Sequence, residues 1–256
     1  MSRFIDLSVA LDPEIVSDPD IMHPKVQFLD HSVTSGQVTS FFPGLQNSDL
    51  PGGEGWAIER LEITTHNGTH LDAPFHHHST MNKGERAITI DEVPLEWCFA
   101  PGIKLDFRHF DDGYVATAMD IEAELARIGH DIRPLDIVLV NTSAGAAYGD
   151  PCYVNKGCGM GREATLYLLE RGVRVTGTDA WSWDAPFSHT AKRYSETGDA
   201  GLIWEGHRAS MEIGYSHIEK MANLDQLPDT GFTVSCFPYK IKGASAGFTR
   251  AVAILD

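Results

Sequence analysis

The residues best suited to chemistry crowd into one stretch, His66-Asn-Gly-Thr-His70-Leu-Asp72-Ala-Pro-Phe-His76-His77-His78, which holds five of the chain's twelve histidines. Imidazole and carboxylate are the usual ligands of Zn²⁺ and similar divalent ions. Asn-Gly-Thr between His66 and His70 is poor helix sequence, so the pair is not a helical HExxH arrangement. A turn at Gly68 can instead fold the two rings toward one point. His70 and Asp72 are two apart, and an extended backbone puts both on one face. Pro74 then bends the chain, and the short reach to His76 brings a further imidazole alongside. The expected metal ligands are therefore His66, His70 and Asp72. Three ligands leave coordination positions open, which is the catalytic pattern. A divalent ion lowers the pKa of its water toward about 7 and polarises a carbonyl. His76, close by but spare in the ligand count, suits general acid and base work. Because only alternate positions share a face, at least one of His77 and His78 is expected to point to solvent, and neither joins the site.

The elements around this stretch mix strands and helices. Phe4 to Val9 alternates as a strand, and Trp56 to Thr65 alternates again and runs directly into the histidines. Residues 12 to 55, rich in Pro, Asp, Ser and Gly, read as one long loop punctuated by Phe28, Phe41 and Phe42. Thr117 to Ile128 reads as a helix that Thr117 or Asp120 could cap and Gly129 stops. Asp136 to Val140 is a short buried-strand pattern. Gly161 to Glu170 is a second helix, closed by Gly172, and Val173 to Thr178 a strand. Ile203 to Ile213 could be a third helix, weakened by Gly206. Phe232 to Phe237 and Phe248 to Leu255 read as closing strands around the loop Lys242 to Gly247. No linker-like break appears, so residues 1–256 read as one α/β domain. The echo of Asp72-Ala-Pro-Phe in Asp184-Ala-Pro-Phe reads as coincidence or local convergence.

Composition excludes several classes. Apolar content of 42% and charged content of 22% fit a folded protein. A net charge of −16 disfavours nucleic acid and anionic membranes as partners, leaving a small-molecule substrate. No apolar run approaches the roughly 20 residues of a membrane span. The N-terminus carries acids where a secretion signal needs an apolar stretch, so a cytoplasmic location is expected. Cys98, Cys152, Cys158 and Cys236 form no zinc spacing and are expected as free thiols. A serine hydrolase is disfavoured, because no G-x-S-x-G is present.

The run His66-x-Gly68-Thr69-His70-x-Asp72-Ala73-Pro74-x-His76 resembles the signature of the cyclase-like metal hydrolases, which include bacterial kynurenine formamidase and isatin hydrolase. Phe4 to Ser8, Asp136 to Thr142, Thr176 to Asp179, and His207 followed by Glu219 and Asn223 to Pro228 are similar to further parts of that family, so the resemblance covers most of the chain. It implies a barrel-like β-core with flanking helices, of the swivelling β/β/α type. It implies that His66, His70 and Asp72 hold a first metal. Asp72 and Glu219 would bridge to a second, with His207 as its further ligand and His76 as proton donor and acceptor. One or two ions, Zn²⁺ or Mn²⁺, and a homo-oligomer, typically a homodimer, follow from the same likeness.

The segment from Tyr148 to Arg208, with Trp181, Trp183, Phe187 and Trp204, is longer than in the compact formamidases, as is the N-terminal loop. Loop aromatics around a site suit a planar or cyclic substrate. The expected activity is hydrolysis of a C–N bond in a cyclic or aromatic amide, as in isatin ring opening. Arylformamidase and lactone hydrolase are close alternatives. A non-catalytic metal-binding module is the alternative from another class, and it leaves His76 without a task.

Overall fold

The computed structural model describes residues 2–255, and their centre is a nine-stranded sheet. In chain order its strands are β1 (Arg3–Asp6), β2 (His70–Asp72), β3 (Phe99–Asp106), β4 (Ile137–Asn141), β5 (Val175–Thr178), β6 (Ser216–Glu219), β7 (Phe232–Ser235), β8 (Ala246–Phe248) and β9 (Val252–Leu255). Across the sheet they follow the order β1-β9-β7-β3-β4-β5-β6-β2-β8. The middle strands β3 to β6 run parallel, and the flanking ones antiparallel. The sheet curls into a half-barrel. Just past β1, Leu7 donates its N–H to Ala251 O and accepts from Ala222 N, each at 2.9 Å, so one edge meets the chain that follows β6.

The curl encloses one core and leaves a second outside. In β4, Ile137 and Leu139 face the inner cluster with Leu71, Val175 and Ile218. Val138 and Val140 face the outer one, where Ile121 and Leu125 of the helix Ala118–Ile128 meet Ala164 and Leu168 of the helix Arg162–Glu170. A strand buried on both faces is continuously apolar, which is why Asp136 to Val140 reads so clearly. The result is a single mixed α/β domain around a barrel-like sheet, as expected. Thr117 caps the first of these helices, and Asp120 returns a bond to the Thr117 N–H at 2.7 Å, so the two candidates form one capping box. Gly129, at φ +65°, closes it.

Several expectations are corrected. Residues 12 to 55 are not one loop: Lys25–Leu29 pairs with Ile58–Glu62 as an antiparallel hairpin, and His31–Ser40 is a helix capped by Asp30. The strand expected over Trp56 to Thr65 is confined to Ile58–Glu62 and is exposed throughout, so its apolar alternation serves no inner core. Phe28, Phe41 and Phe42 are also exposed on this arm. Ile203 to Ile213 is only a helical turn, Glu205–Arg208, followed by a 3₁₀ turn, Ala209–Met211. Trp204 at φ +56° keeps the helix from starting before Glu205. Phe248 to Leu255 is two strands on opposite halves of the sheet, β8 beside β2 and β9 between β1 and β7. Among the described residues no helix is long and apolar enough to cross a membrane.

Candidate metal centre

The histidine stretch begins in a turn. Thr64 donates its N–H to Asn67 Oδ1 at 2.8 Å, and Gly68, at φ +59°, turns the chain into β2. β2 then pairs antiparallel with β6, with His217 opposite Asp72 and Glu219 opposite His70. Strand alternation does the rest. Leu71 and Ile218 point into the inner core, and His70, Asp72, His217 and Glu219 share the other face. After β2 the helical turn Pro74–His77, with Pro74 in its first turn, returns His76 over Asp72.

Six residues expected from the sequence meet here. His66 Nδ1 lies 3.0 Å from Asp72 Oδ1, His70 Nε2 lies 3.3 Å from the same atom, and the two nitrogens are 3.2 Å apart. Glu219 Oε2 is 3.6 Å from His70 Nε2, and Glu219 Oε1 is 3.7 Å from His207 Nε2. His76 Nε2 is 3.8 Å from Asp72 Oδ2. Ligands of a four-coordinate zinc, each about 2.0–2.2 Å from the ion, stand about 3.3–3.6 Å from one another. The spacing therefore fits one or two divalent ions. The orphaned atoms make the same point: both Asp72 oxygens are buried with no hydrogen-bond donor in line. In a buried carboxylate that is costly unless a cation faces it.

The surroundings aim the donors. His70 Nδ1 donates to Gly68 O at 2.9 Å, leaving Nε2 unprotonated toward the cluster. His207 Nδ1 is bonded to Asp184, whose carboxylate also accepts from Gly206 N at 2.8 Å. The two copies of Asp-Ala-Pro thus sit differently, one supplying a donor and the other orienting a donor. Gly206 is required, because a Cβ there would lie 2.4 Å from Met160 O. Lys220 is buried beside the site, paired with Asp18 and donating to His66 O at 2.9 Å, and so fixes the turn.

Charge follows the geometry. Burial would raise the Asp72 carboxyl, but the surrounding imidazoles, His76 and His70 first and then His217 and His66, hold it well below the usual carboxylate range. Burial pushes His76 down to about 4, so at neutral pH its own ring is uncharged. Burial likewise opposes ionisation of Glu219, yet His217 brings it down to about 2.

Two residues escaped the sequence reading. His217 is fully buried, with Nε2 3.1 Å from Asp72 Oδ2 and 3.2 Å from Glu219 Oε1. The signal was available: it stands two before Glu219, so strand alternation puts both on one face. His77 is buried too, stacked on His217 with ring centres 4.8 Å apart. His78 is partly buried and bonded to Thr80 Oγ1 at 2.9 Å. Of the two, His77 is turned inward by the helical turn Pro74–His77, and His78, in extended backbone just after it, keeps partial exposure.

A cavity of about 220 Å³ opens beside the cluster, lined by His66, His76, His207 and the rings of Trp181, Phe187 and Trp204. Trp204 stacks on His207 with centroids 4.6 Å apart. Trp183 is instead a core residue, donating Nε1–H to Thr165 at 3.0 Å.

A half-barrel sheet carrying a buried cluster of imidazole and carboxylate donors defines a metal-dependent hydrolase. The chain belongs to the Cyclase family, whose putative cyclase model matches residues 5–185. It is similar to kynurenine formamidase of Salinibacter ruber (strain DSM 13855 / M31), 28% identical over 193 residues that cover 75% of this chain and 77% of the relative. Its fold is that of isatin hydrolase A from Ralstonia solanacearum, with a TM-score of 0.78, 22% identity, and coverage of 100% of this chain and 92% of the other. A potential metal-dependent hydrolase with cyclase activity has the same fold, with a TM-score of 0.68, 20% identity and coverage of 100% and 99%.

Proposed function

We propose that this chain opens a cyclic or aromatic amide by hydrolysing its C–N bond, in the manner of isatin hydrolase. The observation that carries the reading is the placement of His76. Its ring reaches toward Asp72 and at the same time lines a cavity walled by Trp181, Phe187 and Trp204. Indole and phenyl walls suit a flat substrate, which they can sandwich and shield from water.

His66, His70 and Asp72 would hold one ion, and Asp72, His207 and Glu219 a second. Mixed nitrogen and oxygen donors suit Zn²⁺ or Mn²⁺. A bound divalent ion supplies polarisation of the substrate carbonyl and a water acidified toward a pKa of about 7. The chain supplies the remainder. His76, uncharged at pH 7 because burial pushes it to about 4, accepts the proton of the attacking water at Nε2. The same low pKa makes the resulting imidazolium a ready donor to the departing nitrogen. The rings of Trp181, Phe187 and Trp204 keep bulk water from the reacting carbonyl. Arylformamidase is the second reading, favoured by the formamidase relative at 28% identity, and lactone opening needs the same machinery.

The proposal extends to setting. A homo-oligomer is supported by the exposed apolar residues Phe28, Phe41, Phe42, Ile58 and Leu61 on the N-terminal arm. A cytoplasmic location is supported by four free thiols. The net charge of −16 supports a small-molecule partner over nucleic acid or an anionic membrane.

The test is a panel of isatin, N-formylkynurenine, cyclic imides and lactones, assayed on chelated protein and after zinc or manganese is restored. Turnover of isatin or a cyclic imide that vanishes on chelation and returns with the ion is expected. Turnover indifferent to chelation, or confined to lactones, overturns the proposal.

A further inference from the structure

The geometry points to His217 as a fourth protein donor at the second ion position, which it closes together with Asp72, His207 and Glu219. This rests on the metal-dependent reading above and adds a ligand to it. The four donor atoms lie within 4.8 Å of one another, and all four residues are buried. His217 Nε2 sits 3.1 and 3.2 Å from one oxygen each of Asp72 and Glu219. Yet neither approach is aligned as a hydrogen bond, and both ring nitrogens lack a partner. An imidazole equidistant from two carboxylate oxygens, with its N–H direct to neither, is placed as a ligand sharing an ion with them.

The ring is also held in that pose. Most metal-binding histidines are oriented by a hydrogen bond from the second nitrogen. His217 is instead clamped between two rings, His77 at 4.8 Å and 13° on one hand and Trp183 at 6.1 Å and 18° on the other. This gives the buried His77 a task, since it makes no hydrogen bond of its own.

The consequence is an asymmetry between the two positions. His66 and His76, with side chains 18% and 21% exposed, line the cavity, and so do His207 and Glu219. Behind that wall the second position is closed by Asp72 and His217, both wholly inaccessible. Four protein donors fill a tetrahedral shell, the pattern of a structural ion, whereas three leave room for water and substrate. The four-donor position thus fixes Asp72 and Glu219, and the three-donor one keeps room for substrate.

Crystals of the wild-type protein grown with zinc, read by anomalous scattering, test this without any variant. An ion within about 2.0–2.3 Å of His217 Nε2 is expected. An ion bound by His66, His70 and Asp72 with none within 3 Å of His217 overturns the inference and spares the metal-dependent reading. No ion at any of these donors overturns both. Equilibrium dialysis with metal analysis gives a second readout. His217→Gln should bind one zinc fewer than wild type, or hold it about 100-fold more weakly, while the ion at His66 and His70 stays. An unchanged number and affinity in a variant whose circular dichroism matches wild type overturns the inference.

Discussion

Two sets of buried carboxyls sit in this sheet, and they are held in opposite ways. Asp72 and Glu219 lie diagonally across β2 and β6 among imidazoles, and both are pushed low. Asp179, just past the end of β5, accepts from Thr142 N at 2.9 Å and Thr142 Oγ1 at 2.7 Å, and burial pushes it up to about 7. In the first pair neither Asp72 oxygen is satisfied by a hydrogen bond, although Glu219 Oε1 accepts from Trp183 N at 3.0 Å; the Asp179 carboxyl is fully engaged by a neighbouring strand end. Asp179 borders a larger cavity, about 400 Å³, whose lining includes Thr142, Tyr148 and Asn223 but no histidine. Burial of an acid therefore does not mark a functional site here. Orphaned acceptors surrounded by neutral-capable nitrogen donors do.

The largest expected effect breaks the first set at its shared member. Asp72→Asn removes the one carboxylate that reaches His66, His70, His76 and His217. Both ions should be lost on dialysis, and kcat/KM should fall on the order of 10³-fold or more, the scale of several kcal/mol of carbonyl and water activation. The chelated variant should also melt lower than chelated wild type, because His66 and His217 lose the buried carboxylate that favours their charged forms. Retention of both ions with unaltered affinity would put the binding energy elsewhere.

Next in size is His76→Ala. His76 is within reach of Asp72 but belongs to the cavity wall, so the variant should keep its metal content while kcat drops about 10²- to 10⁴-fold. Loss of an ion together with activity would make His76 a ligand instead. Undiminished kcat would take the acid and base role away from His76.

How much of this was legible in the sequence depended on chain continuity. His66, His70, Asp72 and His76 lie in one short piece whose turn and extended backbone can be followed residue by residue. His207 and Glu219 are far along the chain, and only the family likeness connected them to the site. His217 followed from alternation with Glu219 once β6 was known as a strand, but the sequence around it, Tyr-Ser-His-Ile-Glu, does not declare one. The core strand β4 was plain because both its faces are apolar. The equally central β3 was not, since Pro101 and Gly102 interrupt it. Gly102 is there for packing: a Cβ would lie 2.0 Å from the Phe232 ring. The helices His31–Ser40 and Phe187–Thr197 went unread because their sequences, HSVTSGQVTS and FSHTAKRYSET, carry few apolar residues to form a helical stripe.

The smallest effect concerns Asp179, and it sharpens the comparison from the other side. Asp179→Asn should leave metal content and kcat unchanged, since no atom of Asp179 meets the ion cluster among the described contacts. Its signature is the pH dependence of stability. The carboxyl has an ordinary pKa of 3.8 and is raised to about 7 in the folded protein. The folded state therefore binds more protons than the unfolded state between those values, so this group's contribution is fullest below pH 4 and is lost as pH rises to 7. Asn keeps an oxygen to accept from Thr142 and cannot ionise. The stability of the variant relative to wild type, from urea unfolding of both chelated proteins, should rise by about 3 kcal/mol between pH 5 and 8. A difference that stays level across that range would mean the Thr142 N–H and hydroxyl offset the cost of burying the charge. The contrast with Asp72 would then lie only in which donors are supplied, protein hydrogen bonds in one place and an ion in the other.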